Sequence, residues 1–210
     1  DHRDFLVLLQ SEESNVHTET YGFVDAYGIL SPDRLTENYL LTAKMDVGVG
    51  ILPVNSTSEA ELINEKIANY YFDETKPYWA DRIAFMADDA DEQLHVNQSE
   101  ELINILSEKA GDAPTPVKVY LGEYGFETPA KLFRSYREGN MINNYIGHGS
   151  LTSICMYPII TTSDIPSFDN KRLAFINFAG CMATMYENGQ RGIPEHMLLT
   201  NKGGLIGGQT

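Results

Sequence analysis

Ile142-Asn143-Asn144-Tyr145-Ile146-Gly147-His148-Gly149-Ser150 and Leu173-Ala174-Phe175-Ile176-Asn177-Phe178-Ala179-Gly180-Cys181 are the stretches from which this sequence is best read. Each is a short apolar run of strand length that passes through glycine and then delivers one reactive side chain, an imidazole in the first and a thiol in the second. Glycines on both sides of His148 let the backbone approach a ligand closely and free the Gly149 N–H to face a crevice instead of a ladder. Such an amide is a candidate oxyanion donor.

Outward from these two runs, strand-like and helix-like segments alternate. Apolar runs at Phe5–Leu9 and Asp46–Leu52 read as strands, and the segment 10–45 between them has no clean period, only loops and at most a short hairpin. Ser58 and Glu61 have the spacing of a capping box, followed by Ile63, Ile67, Tyr70 and Tyr71 on one helical face. Arg82–Ala87 is a strand; Leu102, Ile103, Leu106 and Ala110 form a helix face ended by Gly111; Val117–Leu121 is a strand again. Thr128 and Pro129 open a helix that places Leu132, Phe133 and Tyr136 together before Gly139 closes it. Strands at 141–146 and 172–178, a helix near 193–201 and a strand from Leu205 complete the chain.

Strands separated by helices imply right-handed crossovers, hence an α/β fold, a three-layer sandwich with a mainly parallel sheet. In such sheets the chemistry lies outside the carboxyl ends of the strands. Residues 1–45 then read as the end of an upstream subdomain or linker, and 46–210 as the principal domain.

Hydrophobic residues are 42% and charged residues 21%, an ordinary globular balance. The 15 Lys+Arg against 30 Asp+Glu give a formal charge of -15, which repels phosphate backbones and anionic lipid surfaces, so no nucleic-acid partner is expected. No apolar run reaches the roughly 18 residues of a spanning helix, so no membrane insertion by this domain is expected either. Two cysteines, Cys155 and Cys181, are too few for a disulfide scaffold or a four-cysteine zinc site.

A lone His between glycines serves equally as a turn residue or a metal ligand, and a lone Cys ending a buried strand is ordinarily an inert small hydrophobe. What points to a Cys/His catalytic pair is their joint position at the ends of two strands of one parallel sheet. A thiol attacks as thiolate, a form favoured by a nearby imidazole and by backbone N–H dipoles. Asp88, Asp89, Asp91 and Glu92 crowd one loop and offer hard oxygens that suit calcium; EF-hand spacing is lacking, so a charged surface loop is favoured and no cofactor is required. His95 and His196 read as ordinary polar residues, and His2 and His17 carry no signal.

These residues resemble the gingipain-type cysteine peptidases, a family with a caspase-like fold. The resemblance spans about 46 to 210 and rests on Gly147-His148-Gly149-Ser150, on Ala179-Gly180-Cys181 and on the 33 residues (181 − 148) between histidine and cysteine. Glu195-His196-Met197-Leu198-Leu199 with Asn201-Lys202-Gly203-Gly204, and Asp46–Val54, look most like the branch that contains the type nine secretion-system sortase, although Ile51 stands where an arginine is common.

The resemblance implies hydrolysis of peptide bonds in protein or peptide substrates: Cys181 attacks the carbonyl, His148 manages the proton, and the backbone amides of Gly149 and Cys181 hold the oxyanion. It implies an acidic residue that orients the histidine, with Asp88 as the matching position and Asp89 as its competitor. It also implies an exported bacterial protein, extracellular or at the cell surface, with flanking domains, and a cleft to which residues beyond Thr210 contribute. The reading from another class is a catalytically inactive binding or surface-assembly module of the same fold. A flavodoxin-like nucleotide binder fits the alternation but lacks a Gly-rich phosphate loop after the first strand. A disulfide between Cys155 and Cys181 would disable the nucleophile; a free, poorly reactive Cys155 is the favoured expectation.

Overall fold

The computed structural model describes residues 9–10, 22–23, 28–30, 46–75, 79–155, 157–181 and 190–210. The chain divides into two compact units, Asp1–Ala60 and Glu61–Thr210. In the first, β1 (Leu9–Gln10) pairs antiparallel with β2 (Gly22–Phe23), a short hairpin within the stretch that has no sequence period. Apart from Leu9, the expected strand Phe5–Leu9 lies outside the described residues, as do His2, His17 and most of 10–45.

Asp46–Leu52 is not a strand. Asp46 and Val47 donate to the Gly28 carbonyl at 2.8 and 3.3 Å, and the rest of the run joins no ladder among the described residues. Gly48 and Gly50 strip one face of the run of side chains, so pairing there has nothing to bury, and Val47 and Leu52 stay 45% and 50% exposed.

The first helix, α1 (Thr57–Tyr71), starts one capping pair earlier than expected. Ser56 Oγ accepts the Glu59 N–H at 3.2 Å, so Ser56 takes the capping place expected of Ser58, while Glu59 Oε2 accepts the N–H of Asn55, one residue before the cap, at 2.6 Å. Its inward face also differs: Ile63 and Lys66 are buried, whereas Ile67 and Tyr71 point outward. The Lys66 ammonium donates to the carbonyls of Leu198 and Gly203 at 2.6 and 2.7 Å, with those of Met197 and Leu205 at 3.5 Å. Burial lowers its pKa to about 8.

The second unit continues with β3 (Arg82–Ala87), α2 (Ala90–Lys109), β4 (Thr115–Tyr120), α3 (Thr128–Glu138) and β5 (Ile142–Ile146). Then come the antiparallel pair β6 (Ser153–Ile154) and β7 (Ile160–Thr161), β8 (Ala174–Ala179), α4 (Ile193–Leu199) and β9 (Leu205–Gln209). Five strands form one sheet in the order β4-β3-β5-β8-β9, with every neighbouring pair parallel. β4 begins two residues before the expected Val117 and includes Pro116, which lacks an N–H; the sheet tolerates it because β4 is an edge.

Alternation along the strands sorts side chains to two faces. Ile83, Phe85 and Ala87 of β3 pack with Val96, Ile103 and Leu106 of α2. Met86, Tyr145, Ile176 and Phe178 pack on the opposite side with Leu132 and Tyr136 of α3 and Ile193 and Met197 of α4. Helices therefore cover both faces, the three-layer arrangement expected of a parallel α/β sheet. On the β5–β8 ladder Asn144 faces Asn177, and the Asn177 amide donates to Asn144 Oδ1 at 2.6 Å, a polar rung that fixes register.

Candidate active site

The last rung of the β5–β8 ladder pairs Ile146 with Ala179, and one further bond, from the Gly147 N–H to the Ala179 carbonyl at 3.1 Å, follows it. His148 and Cys181 each stand two residues past that rung, on adjacent strands at the carboxyl edge of the sheet. Their loops touch through main chain. A Cβ on Gly180 would lie 2.7 Å from the Gly147 carbonyl oxygen, and one on Gly149 would lie 3.0 Å from the Cys181 carbonyl oxygen and 2.9 Å from Phe178 Cε1. Only glycine fits at either position. Cys181 is exposed and its thiol is free; the His148 side chain is 39% exposed. Neither reactive group is sealed in the interior.

The His148 main chain is held from both sides. Asp88, the first residue after β3, is wholly buried, and its Oδ2 accepts the His148 N–H at 2.7 Å. The His148 carbonyl accepts the Cys155 N–H at 2.8 Å and the Tyr145 hydroxyl. Burial first, and the charge of Asp88 second, push the Tyr145 phenol far above its usual range, so it remains a donor. Cys155 takes a left-handed backbone (φ 74°) to complete this turn, and its side chain belongs to the core beside Ile154. Cys155 and Cys181 are not joined in a disulfide; Cys155 is buried and Cys181 is exposed.

The ring of His148 has a different acidic partner. Its Nε2 lies 3.0 Å from Asp91 Oδ2, while Asp88 contacts the His95 ring through Oδ1 and Nδ1. His95 stands edge-on to His148, with centroids 5.3 Å apart and planes at 87°, and its Nε2 is 3.8 Å from the same Asp91 oxygen. Asp91 reaches this position because the entry to α2 is wound left-handed: φ is 51°, 55° and 68° at Asp91, Glu92 and Gln93. Backbone of that hand is costly for residues other than glycine, and aspartate is among those that tolerate it best. Asp89 and Glu92 are exposed and make no hydrogen bond or ion pair with His148 among the described residues.

The structure thus brings Cys181, His148, Gly149 and Asp88 to one edge of the sheet, with Asp88 meeting the His148 main chain and Asp91 meeting its ring. Among the described residues, the N–H groups of Gly149 and Cys181 donate no hydrogen bond. Of the four acids once grouped for a cation, Asp88 is buried against two histidines and the other three are exposed. Sequence reading missed the parts of Asp91, His95 and Tyr145. The available signal was the spacing of Asp91 and His95, four residues apart just past a strand end, which suits one helical face.

The family model for peptidase family C25 matches residues 4–209. No curated protein matches the chain. Among solved structures, the Arg specific cysteine proteinase gingipain R is similar at 16% identity and a TM-score of 0.61, over 73% of this chain and 37% of that one. The complex of Porphyromonas gingivalis RgpB pro- and mature domains is similar at 19% identity and a TM-score of 0.62, over 77% of this chain and 39% of the other. The chain therefore spans less than two fifths of the length of these neighbours, and the likeness is one of fold.

Proposed function

Because the chain belongs to peptidase family C25, we propose that it carries the Cys/His dyad of a cysteine endopeptidase, with Cys181 as nucleophile and His148 as acid/base. The observation that carries this reading is the pair of adjacent strand ends, which present both side chains at one edge with the intervening loops in main-chain contact. The Cys181 thiolate attacks the scissile carbonyl carbon, and a covalent thioester forms once the amine leaves with a proton from the His148 ring. Water then attacks the thioester carbonyl and gives a proton to His148; the carbon–sulfur bond breaks, the carboxylic acid leaves, and the Cys181 thiolate is restored beside the protonated ring. The N–H groups of Gly149 and Cys181, which donate no hydrogen bond among the described residues, suit the tetrahedral oxyanion, a role in which one donor typically contributes about 10²–10³ in rate.

Asp91 orients the ring: with Nε2 held by that carboxylate, the other nitrogen is left for proton transfer. Asp88 fixes the main chain from which the ring projects. Substrates are peptide segments of other proteins. A cell-surface or extracellular setting, including sortase-like processing of secreted proteins, is supported by the resemblance of the Asp46–Val54 and Glu195–Gly204 segments.

The test is a covalent thiol probe at neutral pH. Labelling at Cys181 that is abolished by Cys181→Ala and strongly slowed by His148→Ala supports the dyad. A thiol indifferent to the probe, or labelled equally fast in His148→Ala, would overturn it and leave a binding module of peptidase fold.

A further inference from the structure

Two imidazoles and two carboxylates converge at the candidate acid/base, and the dyad employs only some of them. Asp88, His95 and His148 each offer a ligand atom within 4.8 Å of those of the other two. The Asp91 carboxylate adds an oxygen 3.0 Å from His148 Nε2 and 3.8 Å from His95 Nε2. A tetrahedral cation with bonds of about 2.0 Å spaces its ligands about 3.3 Å apart, and the two Asp91 distances bracket that edge. Asp88 bonded to His95 Nδ1 is the arrangement of a carboxylate that fixes the tautomer of a metal-binding histidine and aims its other nitrogen.

We propose that His95, His148 and Asp91, with Asp88 fixing the His95 ring from behind, form a site for a borderline divalent cation of the Zn²⁺ class, and that its occupancy switches the dyad off. Two imidazoles with one carboxylate select such a cation over Ca²⁺ or Mg²⁺, which take shells of oxygen. A metal on His148 occupies the ring that must carry the proton, so inhibition is the direct consequence. That regulatory half rests on the reading of His148 as acid/base; the binding half does not. His95, which has no step in the dyad mechanism, then gains a reason for its place edge-on to His148.

The experiment is calorimetric titration of the chain with Zn²⁺ in a non-chelating buffer, with Co²⁺ absorption as a reporter of tetrahedral geometry. One ion per chain is expected, unaffected by Cys181→Ala, weakened at least 10-fold by His95→Ala and weakened also by Asp91→Ala at its exposed position, with Ca²⁺ unable to compete. Zn²⁺ should slow thiol labelling of the unsubstituted chain with the same midpoint as binding. Absence of binding, loss of binding in Cys181→Ala, indifference to both His95→Ala and Asp91→Ala, or displacement by Ca²⁺ would overturn the site. Should the thiol prove inert to the probe, the calorimetric results on Cys181→Ala and Asp91→Ala still decide the metal site by themselves.

Discussion

Replacing Gly180 by alanine tests whether the touching strand ends set the reactive geometry. The added Cβ would lie 2.7 Å from the Gly147 carbonyl oxygen and 2.7 Å from Phe178 Cε1, against an ordinary contact of 3.4 Å or more. Gly180 has no left-handed backbone, so the effect is one of contact and not of torsion. Relief requires the two loops to part by about 0.7 Å (3.4 − 2.7), which stretches the Gly147 to Ala179 bond and moves His148 relative to Cys181. Overpacking of this kind costs about 1–3 kcal/mol, or roughly 3–10 °C in Tm for a chain of this size. Displacement approaching 1 Å at a reacting pair costs up to about 10² in rate, so kcat/KM for a peptide substrate should fall about 10- to 100-fold. The same substitution at Gly111, where a Cβ meets nothing within 4 Å, is the control and should leave both quantities unchanged. Thermal melts and steady-state cleavage measured on the two variants decide the matter. Gly180→Ala with the Tm and kcat/KM of the unsubstituted chain would refute the reasoning.

Asp91→Asn keeps the shape and removes the charge beside His148 Nε2; kcat should drop about 10- to 100-fold with little change in KM or Tm, read by steady-state kinetics. Lys66, lowered to about 8 by burial, predicts a pH-dependent stability. Between that value and the ordinary 10.5, the unfolded chain holds a proton that the folded chain has shed, so stability rises with pH across the window by up to about 3 kcal/mol. Urea denaturation at pH 8 and pH 10.5 should show that rise, and Lys66→Met should lack its share of it. Ile176→Ala, at a fully buried position under α3 and α4, should cost about 2–5 kcal/mol by urea denaturation, whatever its effect on activity.

The sheet was legible in the sequence because its strands are apolar, short and punctuated by glycine, and because the parallel ladder needs only that periodicity. The carboxyl-edge position of His148 and Cys181 followed from it. Asp46–Leu52 was misread because hydropathy does not register what Gly48 and Gly50 remove from a strand face. Lys66 was hidden because a charge facing inward is recognisable only when the carbonyls that receive it are in place, and these come from residues 197–205. Asp91 was hidden for a conformational reason. A right-handed start to α2 would have aimed it elsewhere, and three successive left-handed residues are not written in any propensity.

The polar rung between Asn144 and Asn177 has a consequence for how a damaged molecule behaves. A slip of β5 by one residue would turn Tyr145 out of its apolar layer, break the amide pair, and carry the imidazole away from the thiol in the same movement. Misalignment and loss of the site are thereby one event: a chain that has lost its ladder pairing has also lost the strand-end geometry on which the proposed dyad depends.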